Sequence, residues 1–574
     1  MIAQTLRSRI HFCAALAAIA PLAIGARLFW LQTFRHEKLS ETASKEFNRT
    51  VSEIGPRGRV FGAGGELLAE SIVTWDAGLF KKDLEAEAKA KKDPGYPARV
   101  VSELTRLLSL PPAFRERYRK NKNFVPLKSG LDRQAAEAVK ALKFKGVALE
   151  PVQSRYYPAG DIARAIIGVT REERGLTGVE LLYDKVLSGH VSRREVVRDA
   201  SGRVIFQDKQ EKESRPRDLH LTIDKNIQYF AQEAIQKAVE KNRAELGMAL
   251  VQDPNTGRIL AMASWPSSVQ KIEPVEWVYE PGSTFKAITL AAALEKGITS
   301  EQSTFYCENG AWAFSSRITL HDHEPDKTLN LSEVIERSSN IGTAKLGLKL
   351  GVKDFYFFTK AFGFGAKSAL GFAGESAGLL RPLEKFKPID LAVGSYGHGI
   401  AATPLQVLNA YSALANGGRL FEPRLVEKVT EFEGEEVFRN EPSVIRQVIS
   451  PGICGRVKKI LRAVVESGTG KNAAVAGYSI AGKTGTSKKI DPRTGKYLTG
   501  RNVASFAGFF PVPAPQYTIL VVIDNPRGLT YGGETAAPAF REIASKIITL
   551  KGIKPDMPTT RKVGHAAPER PISD

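Results

Sequence analysis

Cysteine is scarce in this chain: Cys13, Cys307 and Cys454 are the three among 574 residues. So few exclude a disulfide-built scaffold. Cys13 falls in the first apolar stretch, which leaves Cys307 and Cys454 as the possible pair, bonded or not. A second long apolar run is missing, so one membrane-spanning helix is the expected maximum. Internal repeats are missing as well. No helix-turn-helix, zinc-finger spacing or aromatic RNA-binding signature accompanies the 82 Lys+Arg residues that outnumber 62 Asp+Glu. The net charge of +20 suits several kinds of anionic neighbour, and no nucleic-acid partner is expected. Metal-ligand spacing is also lacking. His321-Asp322-His323-Glu324 alternates on a loop with no third ligand nearby, which predicts a solvated turn and no metal site.

What is present is globular. With 43% hydrophobic and 25% charged residues there is ample material for cores, and the length calls for two or three of them. Arg7 and Arg9 precede an apolar run over residues 12–26, interrupted by Arg27 and continued by Leu28–Trp30. It is long enough to span hydrocarbon if Arg27 snorkels to the interface. The basic flank predicts a cytoplasmic N-terminus, residues 1–10, followed by an uncleaved anchor, residues 11–32. A cleaved signal peptide is the rival, set against the length of the run and the lack of a small-x-small cleavage site.

Residues 33–217 are mixed and charge-rich, with a helical stretch over 132–142 and no catalytic constellation. From residue 218 the pattern changes. A strand over 219–223 precedes a helix capped by Asp224, with a one-sided apolar stripe from Ile227 to Val239. Strands over 248–251 and 259–262 are joined through Pro254-Asn255-Thr256-Gly257, a good turn. Strands over 503–510 and 517–523 and a helix over about 537–550 close the region. Helix and hairpin first, hairpin and helix last, predict an antiparallel sheet covered by helices, with a helical middle inserted. The domain is expected to end near 552, and residues 553–574 to be a disordered tail.

Three short elements lie in that domain. Ser283-Thr284-Phe285-Lys286 opens a strong helix former, so the serine hydroxyl sits at the positive dipole end and Lys286 lies on the same face. A serine needs a base, and a lysine is one only when burial or a second cation lowers its pKa. Alone the pattern is weak: Ser268-Val269-Gln270-Lys271 matches it too, but meets Pro274 before a helix can form. Ser338-Ser339-Asn340 follows an amphipathic helix over 332–337, and by itself is no more than a polar helix end. Lys483-Thr484-Gly485-Thr486 precedes the last hairpin; on an edge strand Gly485 would admit a substrate backbone, and Lys483 and Thr484 a carboxylate. The same stretch, Gly477 to Thr484, matches the phosphate-loop pattern literally. A poor strand before it, and the turn Asp491-Pro492-Arg493 in place of a helix after it, argue against a nucleotide.

Together, in this order within one domain, S-x-x-K, S-x-N and K-T-G resemble the penicilloyl serine transferases. Over nearly its whole length the chain resembles the class B penicillin-binding proteins. Tyr279-Glu280-Pro281-Gly282-Ser283, Thr403-Pro404-Leu405-Gln406 and Ala504–Gly508 carry the likeness, and upstream Arg57-Gly58-Arg59, Arg155-Tyr156-Tyr157-Pro158 and Gly175–Glu180 carry it too. Two departures are local: 265–278 is short, and 61–65 lacks the usual acidic residue. The resemblance implies a multidomain α+β chain: a transmembrane helix, an elongated α/β pedestal, and a transpeptidase domain whose helix-flanked antiparallel sheet is like that of serine β-lactamases. It implies peptidoglycan D,D-transpeptidation through a Ser283 acyl-enzyme. Lys286 is the implied base, Ser338 the relay, and Asn340 holds the peptide amide. Lys483, Thr484, Gly485 and Thr486 receive the carboxylate end, and the N–H groups of Ser283 and Thr486 form the oxyanion hole. No cofactor is implied. Implied partners are stem peptides on lipid-linked strands, β-lactams, a membrane glycosyltransferase and other division proteins. The Tyr-Glu-Pro-Gly-Ser form and residues 321–345 resemble the division-specific branch. A cell-elongation transpeptidase, a D,D-carboxypeptidase or β-lactamase with water as acceptor, and a non-catalytic scaffold are the alternatives.

Overall fold

A computed structural model describes residues 2–38, 48–54, 56–120, 123–171, 173–188, 191–198, 204–210, 216–432, 434–491 and 494–558. The expected tail lies outside the described residues from 559 onward, as do Pro492 and Arg493 of the expected turn. The chain divides into two compact units, Met1–Pro56 with Gly189–Arg215, and Arg57–Ser188 with Pro216–Asp574.

The first unit holds the apolar helix Ile2–Thr33, of which Ile10–Thr33 is long and apolar enough to cross a membrane. It also holds a three-stranded antiparallel sheet of Asn48–Ile54, Val191–Arg198 and Val204–Gln210.

The second unit carries two larger sheets. In the first, the long strand Leu67–Phe80 pairs with Val60–Phe61, Phe124–Leu131 and Val147–Tyr156. Arg217–Leu221 runs parallel to Val60–Phe61 and antiparallel to Val426–Glu431, which pairs with Glu436–Arg439. A hairpin from far along the sequence thus completes a sheet begun near residue 60. The upstream motifs meet beside it. Arg57 Nε and Arg155 Nε reach the two oxygens of the fully buried Glu180 at 2.5 and 2.7 Å, and Arg57 also pairs with Asp184 at 2.7 Å. Removed from water, these charges persist because each has a partner of opposite sign.

The other sheet positions the site. Its five antiparallel strands run in the order Ile259–Trp265, Leu246–Gln252, Tyr517–Asp524, Tyr497–Phe510, Ala481–Ile490. Helices Lys225–Asn242 and Gly532–Lys551 cover one face. Asp224 caps the first by accepting from the N–H groups of Asn226 and Ile227. The second starts five residues earlier than the sequence suggested, and Pro538 lies within it. The inserted helical region covers the other face, through Pro404–Ala415 and Pro451–Glu466. With both faces covered, strands such as Tyr517–Asp524 are apolar without alternation, as burial on two sides requires. At the centre of the insertion, helix Lys286–Glu295 is buried from Lys286 to Leu294, so it is apolar all round except for Thr289, which donates to the Ser395 carbonyl, and its first residue. That residue is a lysine, and its burial is the main electrostatic fact of the molecule.

Candidate active site

Ser283 lies in the 3-10 turn Gly282–Phe285, which runs directly into helix Lys286–Glu295. The turn is braced from three sides. Tyr411 donates its hydroxyl to the Thr284 carbonyl at 2.7 Å. The Phe285 ring meets those of Phe355 and Phe364. Tyr279 exchanges backbone hydrogen bonds with Ala402. Gly282 has φ +53°, and a Cβ there would stand 2.9 Å from the Thr486 carbonyl oxygen. Glycine is therefore needed twice over, for its conformation and for the close approach of the edge strand. Ser283 itself is half-buried among buried neighbours, which leaves its hydroxyl reachable from solvent.

Lys286 is fully buried. Its Nζ donates to the Ser338 carbonyl at 2.6 Å, to Asn340 Oδ1 at 2.8 Å and to Ser338 Oγ at 3.2 Å. The S-x-x-K and S-x-N elements therefore meet through Lys286. Among the described residues no hydrogen bond joins Lys286 to Ser283, although they sit one turn apart. Burial brings the Lys286 pKa down to about 7, against the smaller opposing pull of Asp322.

The S-x-N element follows the end of one helix, as its sequence suggested, and also opens the next. Helix Leu331–Glu336 stops, Ser338 takes a left-handed conformation with φ +62°, and Ser339 caps helix Asn340–Leu350 by accepting from the Gly342 N–H. The element is held by Asp322, the residue that sequence reading placed in a solvated turn. One Asp322 oxygen accepts from the N–H groups of Asn340 and Ile341, and the other from the Ser339 hydroxyl at 2.5 Å. Three donors at a helix N-terminus, where the dipole favours a negative charge, make this a structural carboxylate. Asn340 Nδ2 in turn donates to the His321 carbonyl at 2.9 Å. Cys307 and Cys454 are both free and buried; Cys307 lies against the Ser339 hydroxyl at 3.3 Å.

The third element lies on the edge strand Ala481–Ile490, as expected, and its continuation as a strand past Thr484 removes the helix that a phosphate loop requires. Lys483 is fully buried, and its Nζ donates only within its own neighbourhood, to Thr484 Oγ1 at 3.2 Å and the Thr484 carbonyl at 3.3 Å. Burial, with the Lys286 charge behind it, holds Lys483 well below the usual lysine range. Above Gly485 there is no spare room: a Cβ would meet Ser505 Oγ at 2.3 Å and Thr284 Cγ2 at 2.9 Å. This glycine lets the nucleophile turn seat on the strand. Thr486 Oγ1 accepts from the Gly532 N–H at 3.2 Å, which ties the strand to the start of the last helix.

Two further residues were given no role by the sequence reading. The buried Glu280 carboxylate accepts from the Gly399 N–H at 2.7 Å and from the Tyr497 hydroxyl at 3.0 Å, so it fastens the approach to Ser283 to two other segments; burial raises its pKa. His398, on the same loop, packs edge-on against Tyr396, and burial with the Lys286 and Lys488 charges lowers it to about 4. Its neutral imidazole adds no third cation beside the lysines.

A half-exposed serine at a helix start, a buried lysine near neutrality and a second buried lysine on an edge strand define a serine acyl-transferase site. Comparison with known proteins gives the family. The model for the penicillin binding protein transpeptidase domain matches residues 247–545, and that for the penicillin-binding protein dimerisation domain matches residues 52–221. The chain is 31% identical over 557 residues to the peptidoglycan D,D-transpeptidase FtsI of Escherichia coli, covering 93% of this chain and 90% of that one. It is 30% identical over 575 residues to the stage V sporulation protein D of Bacillus subtilis, covering 96% and 87%. Penicillin binding protein 3 of Mycobacterium tuberculosis, solved with ampicillin, superposes with a TM-score of 0.67 at 25% identity, over 88% of this chain and 98% of that one. This chain belongs to the penicillin-binding protein transpeptidases.

Proposed function

We propose that the chain cross-links peptidoglycan as a serine D,D-transpeptidase, with Ser283 as nucleophile. The supporting observation is Lys286: a buried amine with a pKa of about 7 is largely neutral just above neutral pH and can accept a proton there. Ser283 Oγ attacks the carbonyl between the two terminal D-alanines of a stem peptide, and its proton passes to Lys286. The C–O ester bond forms as the C–N bond breaks. The departing D-alanine amine takes a proton returned through Ser338, whose hydroxyl is 3.2 Å from Lys286 Nζ. The N–H groups of Ser283 and Thr486 stabilise the oxyanion. Lys483, Thr484 and Thr486 hold the terminal carboxylate of the donor, Gly485 seats the nucleophile turn, and Asn340 holds the peptide amide. An amine of a neighbouring stem then attacks the ester, gives up its proton to the Lys286–Ser338 pair, and leaves an amide cross-link with Ser283 regenerated. A β-lactam imitates the donor, but its leaving nitrogen stays tethered, so the adduct persists.

The transpeptidase reading is tested with a D-Ala–D-Ala donor peptide and an acceptor amine. Amide product that requires Ser283 supports it; product limited to the hydrolysed donor would identify a carboxypeptidase. The basic flank of the apolar helix supports a single-pass protein of the bacterial inner membrane with its catalytic unit outside the cytoplasm. The Tyr279–Ser283 sequence and the FtsI relative support a septal role beside a membrane glycosyltransferase. Filaments on depletion support that role; round cells would assign the chain to elongation. Normal growth on Ser283→Ala alone would make it a scaffold.

A further inference from the structure

Helix Val352–Ala361 reads Val-Lys-Asp-Phe-Tyr-Phe-Phe-Thr-Lys-Ala. Phe355 and Phe358 point inward and are buried, with Phe355 against Phe285 of the nucleophile turn. The opposite face mixes charge with aromatics: exposed Lys353 and Lys360 flank it. Phe357 there is 62% exposed, and Tyr356 lies beside it. Lys353, Tyr356, Phe357 and Lys360 follow at i, i+3, i+4 and i+7, one continuous stripe. Beyond it the strand Val444–Gln447 is exposed along its length, with Val444 at 46% and Ile445 at 45%. Between helix and strand runs a groove of about 570 Å³, whose lining also includes Leu383 and Arg446.

The charges of this groove are of one sign. Lys353, Lys360 and Arg446 line it, no acidic side chain does, and none of the three has an ion-pair partner among the described residues. Aromatic and aliphatic lining beside unpaired cations matches a ligand with an apolar anchor between carboxylates. Exposed aromatics and arginine are the residue types that dominate protein interfaces. The one amide of the lining, on Gln447, is already donated to the Gly417 and Ile449 carbonyls.

We propose that this groove is a docking site for an acidic segment of a partner polypeptide, one that seats a large apolar side chain on Phe357 and carboxylates on Lys353, Lys360 and Arg446. The test uses the full chain in detergent micelles and a fluorescent peptide with one Trp flanked on each side by two Glu. Polarisation is measured against a peptide with Lys in place of Glu and one with Ala in place of Trp. The acidic Trp peptide is expected to bind, to weaken with salt, and to lose at least tenfold in affinity in Phe357→Ala and in the Lys353→Glu/Lys360→Glu/Arg446→Glu variant. Labelling of both variants by a fluorescent penicillin shows that they are folded. Equal binding to these labelled variants, equal binding of the Lys peptide, or no binding of the acidic peptide would each overturn the proposal. Binding of anionic phospholipid vesicles in place of the peptide, abolished by the same charge reversals, would also overturn it.

Discussion

The pH dependence of acylation follows from the burial of Lys286. With a pKa of about 7, about half of the free enzyme carries a neutral Lys286 at pH 7, about a tenth at pH 6 and about nine-tenths at pH 8. If the neutral amine is the base, the second-order rate constant for acylation falls tenfold per pH unit below about pH 6 and levels off above about pH 8. The assay is stopped-flow acylation by a fluorescent penicillin from pH 5 to 9. The structure also says how to move the curve. The Asp322 charge favours protonated Lys286, so Asp322→Asn removes a negative charge and shifts the acidic limb to lower pH. The same change weakens the hold on Ser339, Asn340 and Ile341, so the plateau rate drops as well. A limb near pH 10, the ordinary range of an exposed lysine, would refute the reasoning. So would a flat profile, or a limb that moves to higher pH in Asp322→Asn.

Three other outcomes are expected. Lys286→Met abolishes acylation and flattens the pH dependence of stability: between pH 7 and 10.5 the unfolded chain binds a proton that the folded chain does not, so at pH 7 the lysine costs about 4 kcal/mol, an amount offset in the variant by about 1–3 kcal/mol for each acceptor left unpaired at Ser338 and Asn340; the melting temperature of the parent rises from pH 7 to 10 relative to that of the variant, and parallel curves in thermal unfolding would contradict it. Glu180→Ala leaves Arg57 and Arg155 buried without their shared carboxylate and destabilises by about 3–5 kcal/mol, measured by denaturant unfolding, while an unchanged midpoint would contradict it. Gly282→Ala sets a methyl 2.9 Å from the Thr486 carbonyl at φ +53°, so penicillin labelling slows at least tenfold with the fold retained by circular dichroism.

Much of the site was legible because acyl transfer constrains residue types at fixed places. Ser283, Lys286, Ser338, Asn340 and Lys483 could be read from three short elements; the structure brings Ser338 and Asn340 to the Lys286 amine, and sets Ser283 in the turn before it and Lys483 on the edge strand against that turn. The strands over 248–262 and 503–523 were legible because a sheet covered on both faces leaves continuous apolar runs. Asp322 was not. Its carboxylate serves N–H groups 18 and 19 residues on, and a polar tetrapeptide gives no local hint of a remote helix start. Glu280 was visible only as a letter of the Tyr279–Ser283 likeness; its bond to Tyr497, 217 residues away, gave no signal for the same reason. The hairpin of Val426–Glu431 and Glu436–Arg439 joins a sheet begun at residue 60, a pairing that periodicity cannot reveal. The groove on helix Val352–Ala361 was missed because its aromatics look like ordinary core until the fold exposes one side.

The most direct measurement is the intact mass of the protein after exposure to benzylpenicillin, with peptide mapping of the adduct. The account predicts one added penicillin mass, carried by the peptide that contains Ser283 and missing in Ser283→Ala. An adduct on any other residue, or one that persists in Ser283→Ala, would contradict it.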